Sequence, residues 1–253
     1  MTDELARSLR QYTSARVGLN RAGSSLSTRE VLDFQLSHAQ ARDAVHAALD
    51  VPSLLGGLRE RGLSARVLRS AAPDRDTYLR NPGLGRALNP ESAANLVAAS
   101  CDVVFVIADG LSALAVTRHA LALLDEVLPL LDQQCSVGPV CIVEQGRVAI
   151  GDAIGVAVQA KVSVVLIGER PGLSSPDSLS AYITWGPRSG RTDAERNCIS
   201  NIRPEGLHCA AAARVLVFYL HEALRQKLTG INLKLGGDFH RDESRGPLPA
   251  ART

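Results

Sequence analysis

The sequence predicts an α/β protein in which a doubly wound, mostly parallel sheet follows an N-terminal helical segment. Residues 102–110 and 162–167 are nearly continuous runs of apolar, largely β-branched residues, the pattern of strands covered on both faces. A third strand candidate lies between them at 137–143, and helical patterns separate the three. Alternation of strand and helix predicts parallel strands that are joined by right-handed crossovers.

The first 60 residues are predicted to be helical. Ser27 and Glu30 have the spacing of a capping box, in which each side chain bonds the other residue's backbone N–H, and apolar residues follow at helical intervals. We divide the chain into this N-terminal helical segment (1–60), an α/β domain (61–235) and a polar tail (236–253). Because the tail contains glycine and proline but few apolar residues, it is predicted to be disordered.

The remaining elements follow in chain order. The predicted strands and helices are a strand at 63–70, a loop at 74–89 with a short helix after it, a strand at 102–110, a helix at 112–131, a strand at 137–143, a short hairpin at 144–150, a helix at 151–160, strands at 162–167 and 178–185, and a helix at 210–228.

Composition excludes several classes of function. The 253 residues are 45% hydrophobic, and no apolar run approaches the ~18 residues of a membrane helix. A net charge of +2 and 4% aromatic residues do not suggest a nucleic-acid surface. The five cysteines form no CxxC pair, which argues against a disulfide framework and a structural zinc site. The beginning of the chain has no signal-peptide pattern, so the expected location is the cytoplasm.

Three acidic residues are expected at the carboxyl ends of strands. Asp109, Glu144 and Glu169 each follow or end an apolar run, and open α/β sheets bind ligands at this edge. Gathered carboxylates can hold Mg²⁺, so one hypothesis is a stand-alone metal-dependent hydrolase that uses Asp109 and Glu169. Cys198, beside an arginine, is either an activated thiolate or, more often for such a residue, a small packed side chain.

Eight motifs follow one another in a specific order. They are Ala-Arg-Val at 15–17 with Gly23, Ala-Arg-Asp-Ala-Val at 41–45, Tyr-Leu-Arg-Asn-Pro-Gly-Leu-Gly-Arg at 78–86, Ala-Asp-Gly-Leu-Ser at 108–112, Gly-Arg-Val at 146–148, Gly-Glu-Arg-Pro-Gly-Leu at 168–173, Ser-Leu-Ser-Ala-Tyr at 178–182 and Asn-Cys-Ile-Ser-Asn-Ile at 197–202. With these motifs the chain resembles the small subunits of ethanolamine ammonia-lyase over nearly its whole length.

The resemblance implies a Rossmann-like fold and a role in a hetero-oligomeric enzyme. A large subunit would be the partner, adenosylcobalamin the cofactor, and ethanolamine, bound mainly by the large subunit, the substrate that becomes acetaldehyde and ammonia. The family's cobalamin contacts on this subunit fall on Val148, Glu169 and Cys198. The resemblance assigns no catalytic residue and no metal ligand to this chain.

The location that the resemblance implies has two alternatives. Longer members of the family carry an N-terminal extension associated with packaging into a bacterial microcompartment, whereas this sequence begins almost at the shared region. The cytoplasm and the microcompartment therefore both stand as expectations.

Overall fold

The computed structural model describes residues 8–9, 12, 15–19 and 21–234. The predicted disordered tail, 236–253, lies outside the described residues. A short antiparallel pair, β1 (Arg21–Ala22) and β2 (Ser25–Leu26), precedes the helices. Within the part of the chain that is described, none of the helices is both long and apolar enough to cross a membrane.

A six-stranded sheet forms the centre of the described fold. Its strands are β3 (Ala65–Arg69), β4 (Val103–Ala108), β5 (Val140–Glu144), β6 (Val162–Gly168), β7 (Leu179–Trp185) and β8 (Asn197–Ile202). The helices are α1 (Thr28–His46), α2 (Val51–Glu60), α3 (Arg75–Arg80), α4 (Pro90–Ala94), α5 (Ala113–Val127), α6 (Ile150–Val158) and α7 (Cys209–Gln226), with 3-10 turns at Leu84–Arg86, Leu128–Leu130 and Asp193–Glu195.

The sheet is mixed, which corrects the expectation of a mostly parallel, doubly wound sheet. The strand order is β3-β5-β4-β6-β7-β8, in which the first four strands are parallel and β7 and β8 are antiparallel to their neighbours. A parallel neighbour requires a crossover connection, usually a helix. No helix forms at 169–178 or between β7 and β8 except a single 3-10 turn, so the chain turns back on itself at both places.

Side chains of the central strands alternate between two buried layers. On β4, Val103, Phe105 and Ile107 pack with α2, α5 and α7, whereas Val104 and Val106 pack with α6 on the other face. Helices therefore cover both faces of the parallel strands, as the α/β prediction requires. Because these strands are apolar at successive positions, they can be buried on both sides.

Polar side chains begin several helices at the predicted places. Ser27 Oγ accepts a hydrogen bond from Glu30 N (3.4 Å), which is one half of the predicted capping box. Ser112 Oγ likewise accepts from Ala115 N (3.2 Å) at the start of α5.

The short hairpin predicted at 144–150 is wrong. Gln145 adopts φ 59°, and the backbone then turns directly into α6 instead of forming a second strand.

Candidate functional site

A cleft of about 750 Å³ opens at the carboxyl ends of the parallel strands. Leu111, Val148 and Arg170, which follow β4, β5 and β6, line it together with Tyr182 of β7. This volume lies within the ~300–1,000 Å³ that is typical of ligand pockets. The position agrees with the rule that open α/β sheets bind ligands at the carboxyl edge.

Glycine allows two strand ends to meet beside this cleft. Gly110 has φ +55°, and a Cβ there would collide with the backbone of Gly168. A Cβ on Gly168 would in turn collide with the carbonyl of Ser112. The chains after β4 and β6 are also joined by a hydrogen bond from Leu111 N to Gly168 O (2.9 Å). The backbone therefore sets the position of Glu169, the next residue.

Asp109 is buried at the end of β4 and acts as a structural acceptor. Its carboxylate accepts hydrogen bonds from Gln145 N and Gly146 N (both 3.0 Å) and from Arg75 Nη1 (3.3 Å). Burial raises the pKa of Asp109 to about 6, against the opposing effect of Arg75 and the backbone amides. The residue ties β4 to the turn that precedes α6.

The three strand-end carboxylates do not gather. Glu144 pairs with Arg69 (Nε to Oε2, 2.9 Å), while Glu169 and Asp109 bond different groups. Within the described residues, no three His, Cys, Asp or Glu side chains are placed to hold a metal ion. The hydrolase hypothesis based on Asp109 and Glu169 is therefore not favoured.

The Glu169 carboxylate is held in place by hydroxyl groups of the antiparallel strands. Ser178 Oγ donates to Oε2 (2.5 Å), Ser180 Oγ donates to Oε1, and the backbone N–H of Asn201 donates to Oε1 (3.2 Å). A carboxylate offers about four acceptor positions, so these three bonds leave roughly one for another donor. Glu169 is half-buried, which leaves it accessible to a ligand.

Cys198 lies on β8 directly opposite Tyr182 of β7. Part of its surface is open to solvent, yet burial against the sheet is the largest cause that raises the pKa of the thiol, while bonds with Tyr182 and Ser180 oppose it. A raised pKa keeps the group a neutral thiol at pH 7. The activated-thiolate interpretation is therefore not supported, and Cys198 is a soft, neutral surface beside Glu169.

Val148 lies in the turn just before α6 and is half-buried. It packs against the same hydrophobic layer as Tyr182 and lines the cleft with it. Tyr182 thus connects the predicted positions, because it shares the cleft with Val148 and faces Cys198, which in turn lies near Glu169.

Some residues of this site were not singled out from the sequence. They are Ser178, Ser180, Tyr182 and Arg147. The polar residues at alternate positions of the 178–182 motif were a usable signal, since alternation places them on one face of a strand.

Comparison with known proteins gives a consistent result. The profile of a family described as ethanolamine ammonia-lyase light chain (EutC) matches residues 3–234. A relative from Azotobacter vinelandii is 53% identical over 248 residues, which cover 95% of this chain and 92% of the relative. A relative from Pseudomonas aeruginosa (strain UCBPP-PA14) is 51% identical over 246 residues, which cover 94% of this chain and 90% of the relative. A relative from Xanthomonas campestris pv. campestris (strain B100) is 52% identical over 247 residues, which cover 95% of this chain and 88% of the relative. All three are named ethanolamine ammonia-lyase small subunit.

Proposed function

The chain belongs to the ethanolamine ammonia-lyase light chain family, and from this premise we propose that it helps to bind adenosylcobalamin as the small subunit of that lyase. A large subunit is the proposed partner in the hetero-oligomer and binds ethanolamine. The proposed cofactor-binding unit is residues 61–235, with the four parallel strands and their helices as its Rossmann-like part. The observation that carries the proposal is that all three predicted cofactor-binding residues lie near Tyr182. Val148 lines the cleft with Tyr182, Cys198 lies opposite it on β8, and the charge of Glu169 acts on both Tyr182 and Cys198.

The residues present suit a corrin ring. The ring is a broad, flat, largely apolar surface whose rim carries amide groups. Glu169 has an acceptor position free for an amide donor, and the hydroxyls of Ser178 and Ser180 fix its orientation. Val148 and Tyr182 supply apolar surface, and Cys198 supplies a small polarizable one.

The chain's own residues bind and orient rather than react. When bound, adenosylcobalamin supplies the radical chemistry that converts ethanolamine to acetaldehyde and ammonia. Glu169 accepts a hydrogen bond at the rim, Val148 excludes water from the ring, and Cys198 packs without a charge. No proton transfer is assigned to this chain.

The test is substitution of Glu169 in the complex reconstituted with the large subunit. Glu169→Ala should raise the dissociation constant of adenosylcobalamin at least about tenfold, since a hydrogen bond to a charged group is worth roughly 1.5–3 kcal/mol. The KM for ethanolamine should change less than about twofold, because the substrate is bound elsewhere.

Glu144→Ala is the matched control, since Glu144 also ends a parallel strand of the sheet but pairs with Arg69, on a strand that β4 separates from β6. It should leave both constants unchanged. A larger effect of Glu169→Ala on ethanolamine than on the cofactor would contradict the assignment.

A further inference from the structure

The cleft is strongly cationic. Among the described residues that line it are four arginines, Arg86, Arg147, Arg170 and Arg191, and a single carboxylate, Asp193. The Arg191 guanidinium is already occupied, because it donates to Glu195 (2.6 Å) and to two backbone carbonyls. Within the described part of the chain, the guanidinium groups of Arg86 and Arg170 make no hydrogen bond or ion pair. Three positive charges are thus available to a ligand.

Arg147 is held in a fixed position and still has a donor without an acceptor. Its guanidinium lies over the ring of Tyr78, 4.3 Å from the centroid, and the Tyr78 hydroxyl donates to Gly146 O (2.9 Å). Gly85 makes room for this stack, since a Cβ there would come within 2.8 Å of Arg147 Cγ. Arg147 Nε is buried and makes no hydrogen bond within the described residues. Because this atom has almost no accessible surface, the end of the guanidinium group, with its two Nη atoms, is the part of Arg147 that can meet a ligand in the cleft.

The start of α6 adds to the positive potential. Val148 and Ala149 line the cleft directly before the first residue of the helix, and no side chain of the described residues caps this end. The N-terminus of a helix carries partial positive charge and favours anions. Asp152 in the first turn reduces this effect, although its carboxylate is bonded to Arg196.

We propose that this cationic cleft binds the phosphodiester of the cofactor's nucleotide tail, with Arg147 as the fixed donor and Arg86 and Arg170 as flanking charges. The inference rests on the proposed function and adds a second contact region to the one around Glu169. In adenosylcobalamin the phosphodiester carries a negative charge, whereas the amides of the corrin rim are neutral. Guanidinium groups match phosphate oxygens in both geometry and charge. A free phosphate ion has the same chemistry, and the experiment separates the two sources.

The experiment compares two corrinoids in the reconstituted complex by equilibrium dialysis. Adenosylcobinamide has the corrin ring but lacks the nucleotide tail and its phosphodiester. Arg147→Gln should weaken adenosylcobalamin binding at least about tenfold, as expected for loss of a charged hydrogen bond. The affinity for adenosylcobinamide should stay within about twofold of the unsubstituted complex.

Two further variants complete the design. Arg170→Gln, at an exposed position, should give the same selective loss and does not disturb the Tyr78 stack. Arg59→Gln is the control, since Arg59 is exposed on α2 and does not line the cleft. It should change neither affinity.

Each other outcome is decisive. Equal weakening of both corrinoids, or of neither, would overturn the phosphodiester contact while leaving the proposed function intact. Arg147-dependent binding of inorganic phosphate without discrimination between the corrinoids would identify a free-anion site instead. If the unsubstituted complex binds neither corrinoid, the proposed function itself fails, and this inference fails with it.

Discussion

Asp102 and Asp109 begin and end the same apolar run, but their surroundings give them opposite electrostatic properties. Asp102 is near the surface, and Lys161 and Ser136 lower its pKa to about 2. Asp109 is enclosed by protein, and burial raises its pKa to about 6. The identity of the side chain is the same, so the difference lies in solvation and in the partners that each carboxylate finds.

The interactions of Asp102 with Lys161 and Ser136 predict that the fold loses stability at low pH. A carboxylate whose pKa is lower in the folded than in the unfolded state stabilises the fold above about pH 4, and this stabilisation is lost as the pH falls toward 2. Asp102→Asn should therefore lower the free energy of unfolding by about 1–2 kcal/mol at pH 7, a figure reduced for solvent screening. Roughly half of that difference should be gone by about pH 3.

Urea titrations at both pH values measure this effect. Asp132→Asn is the control, since an asparagine carbonyl can still accept the bond that Gln134 N donates to Asp132. If Asp102→Asn lowers the free energy of unfolding equally at pH 7 and pH 3, the lowered pKa of Asp102 is not the cause of the loss.

The roles of single residues could be predicted only in part. The position of Glu169 at a strand end follows from the run 162–167 and Gly168. The structural role of Asp109 does not, because its partners Arg75, Gln145 and Gly146 come from distant parts of the chain. Local sequence shows where a carboxylate is placed along a strand, but the groups that donate hydrogen bonds to it depend on tertiary packing.

At the scale of elements, a buried ion pair attaches β8 to the helix on the same face of the sheet. Arg196, directly before β8, forms a bidentate salt bridge with Asp152 of α6 (2.6 and 2.8 Å). It also donates a hydrogen bond to Thr184 Oγ1 of β7 (2.8 Å). The Arg196 side chain is 1% exposed and that of Asp152 is 6% exposed. The antiparallel strands are thus fixed to the parallel part by more than their sheet hydrogen bonds.

Removing one partner of this pair should be strongly destabilising. Asp152→Asn leaves a buried guanidinium without its counter-charge and should lower the free energy of unfolding by about 3 kcal/mol. Asp193→Asn provides the control, since Asp193 approaches the same guanidinium at 3.6 Å but its side chain is 86% exposed. That change should cost less than about 1 kcal/mol. Chemical denaturation of both variants tests the difference, and equal losses would refute the explanation.

The elements themselves were predicted with uneven success. The central strands and long helices were located within a few residues, because their apolar periodicity is strong. The direction of β7 was not predicted, since alternation identifies a strand but not its orientation. β8 was not predicted as a strand, because its burial alternates only over Asn197–Ser200 and a left-handed Asn201 then interrupts the pattern.

At the scale of the whole molecule, the two faces of the sheet are covered unequally. Helices α2, α5 and α7 pack on one face across both parallel and antiparallel strands. On the opposite face, the buried hydrophobic layer formed with α6 is built from residues of β3 to β6, and Tyr182 is the hydrophobic residue of β7 that packs against its edge. Cys198 and Ser200 of β8 are exposed there. In the proposed assembly this open region is where the cofactor lies and where the large subunit closes over it.

A bulky residue on the open region should block the ligand without harming the fold. Ser200→Trp should leave the thermal midpoint of the isolated chain nearly unchanged, because Ser200 is exposed. In the reconstituted complex it should weaken adenosylcobalamin binding by at least about tenfold, a loss of about 1.4 kcal/mol.

Ser53→Trp, at an exposed position of α2, is the matched control and should leave binding intact. Unchanged cofactor affinity in Ser200→Trp would show that the open region does not face the corrin ring.

The meeting of Gly110 and Gly168 has a consequence for selectivity. At this point beside the cleft, two main chains touch and neither carries a side chain that could rotate aside. In the proposed complex, a corrinoid with a different outline would be accommodated by the exposed arginines of the cleft or by the neighbouring subunit, because the joined strand ends beside the cleft cannot move aside.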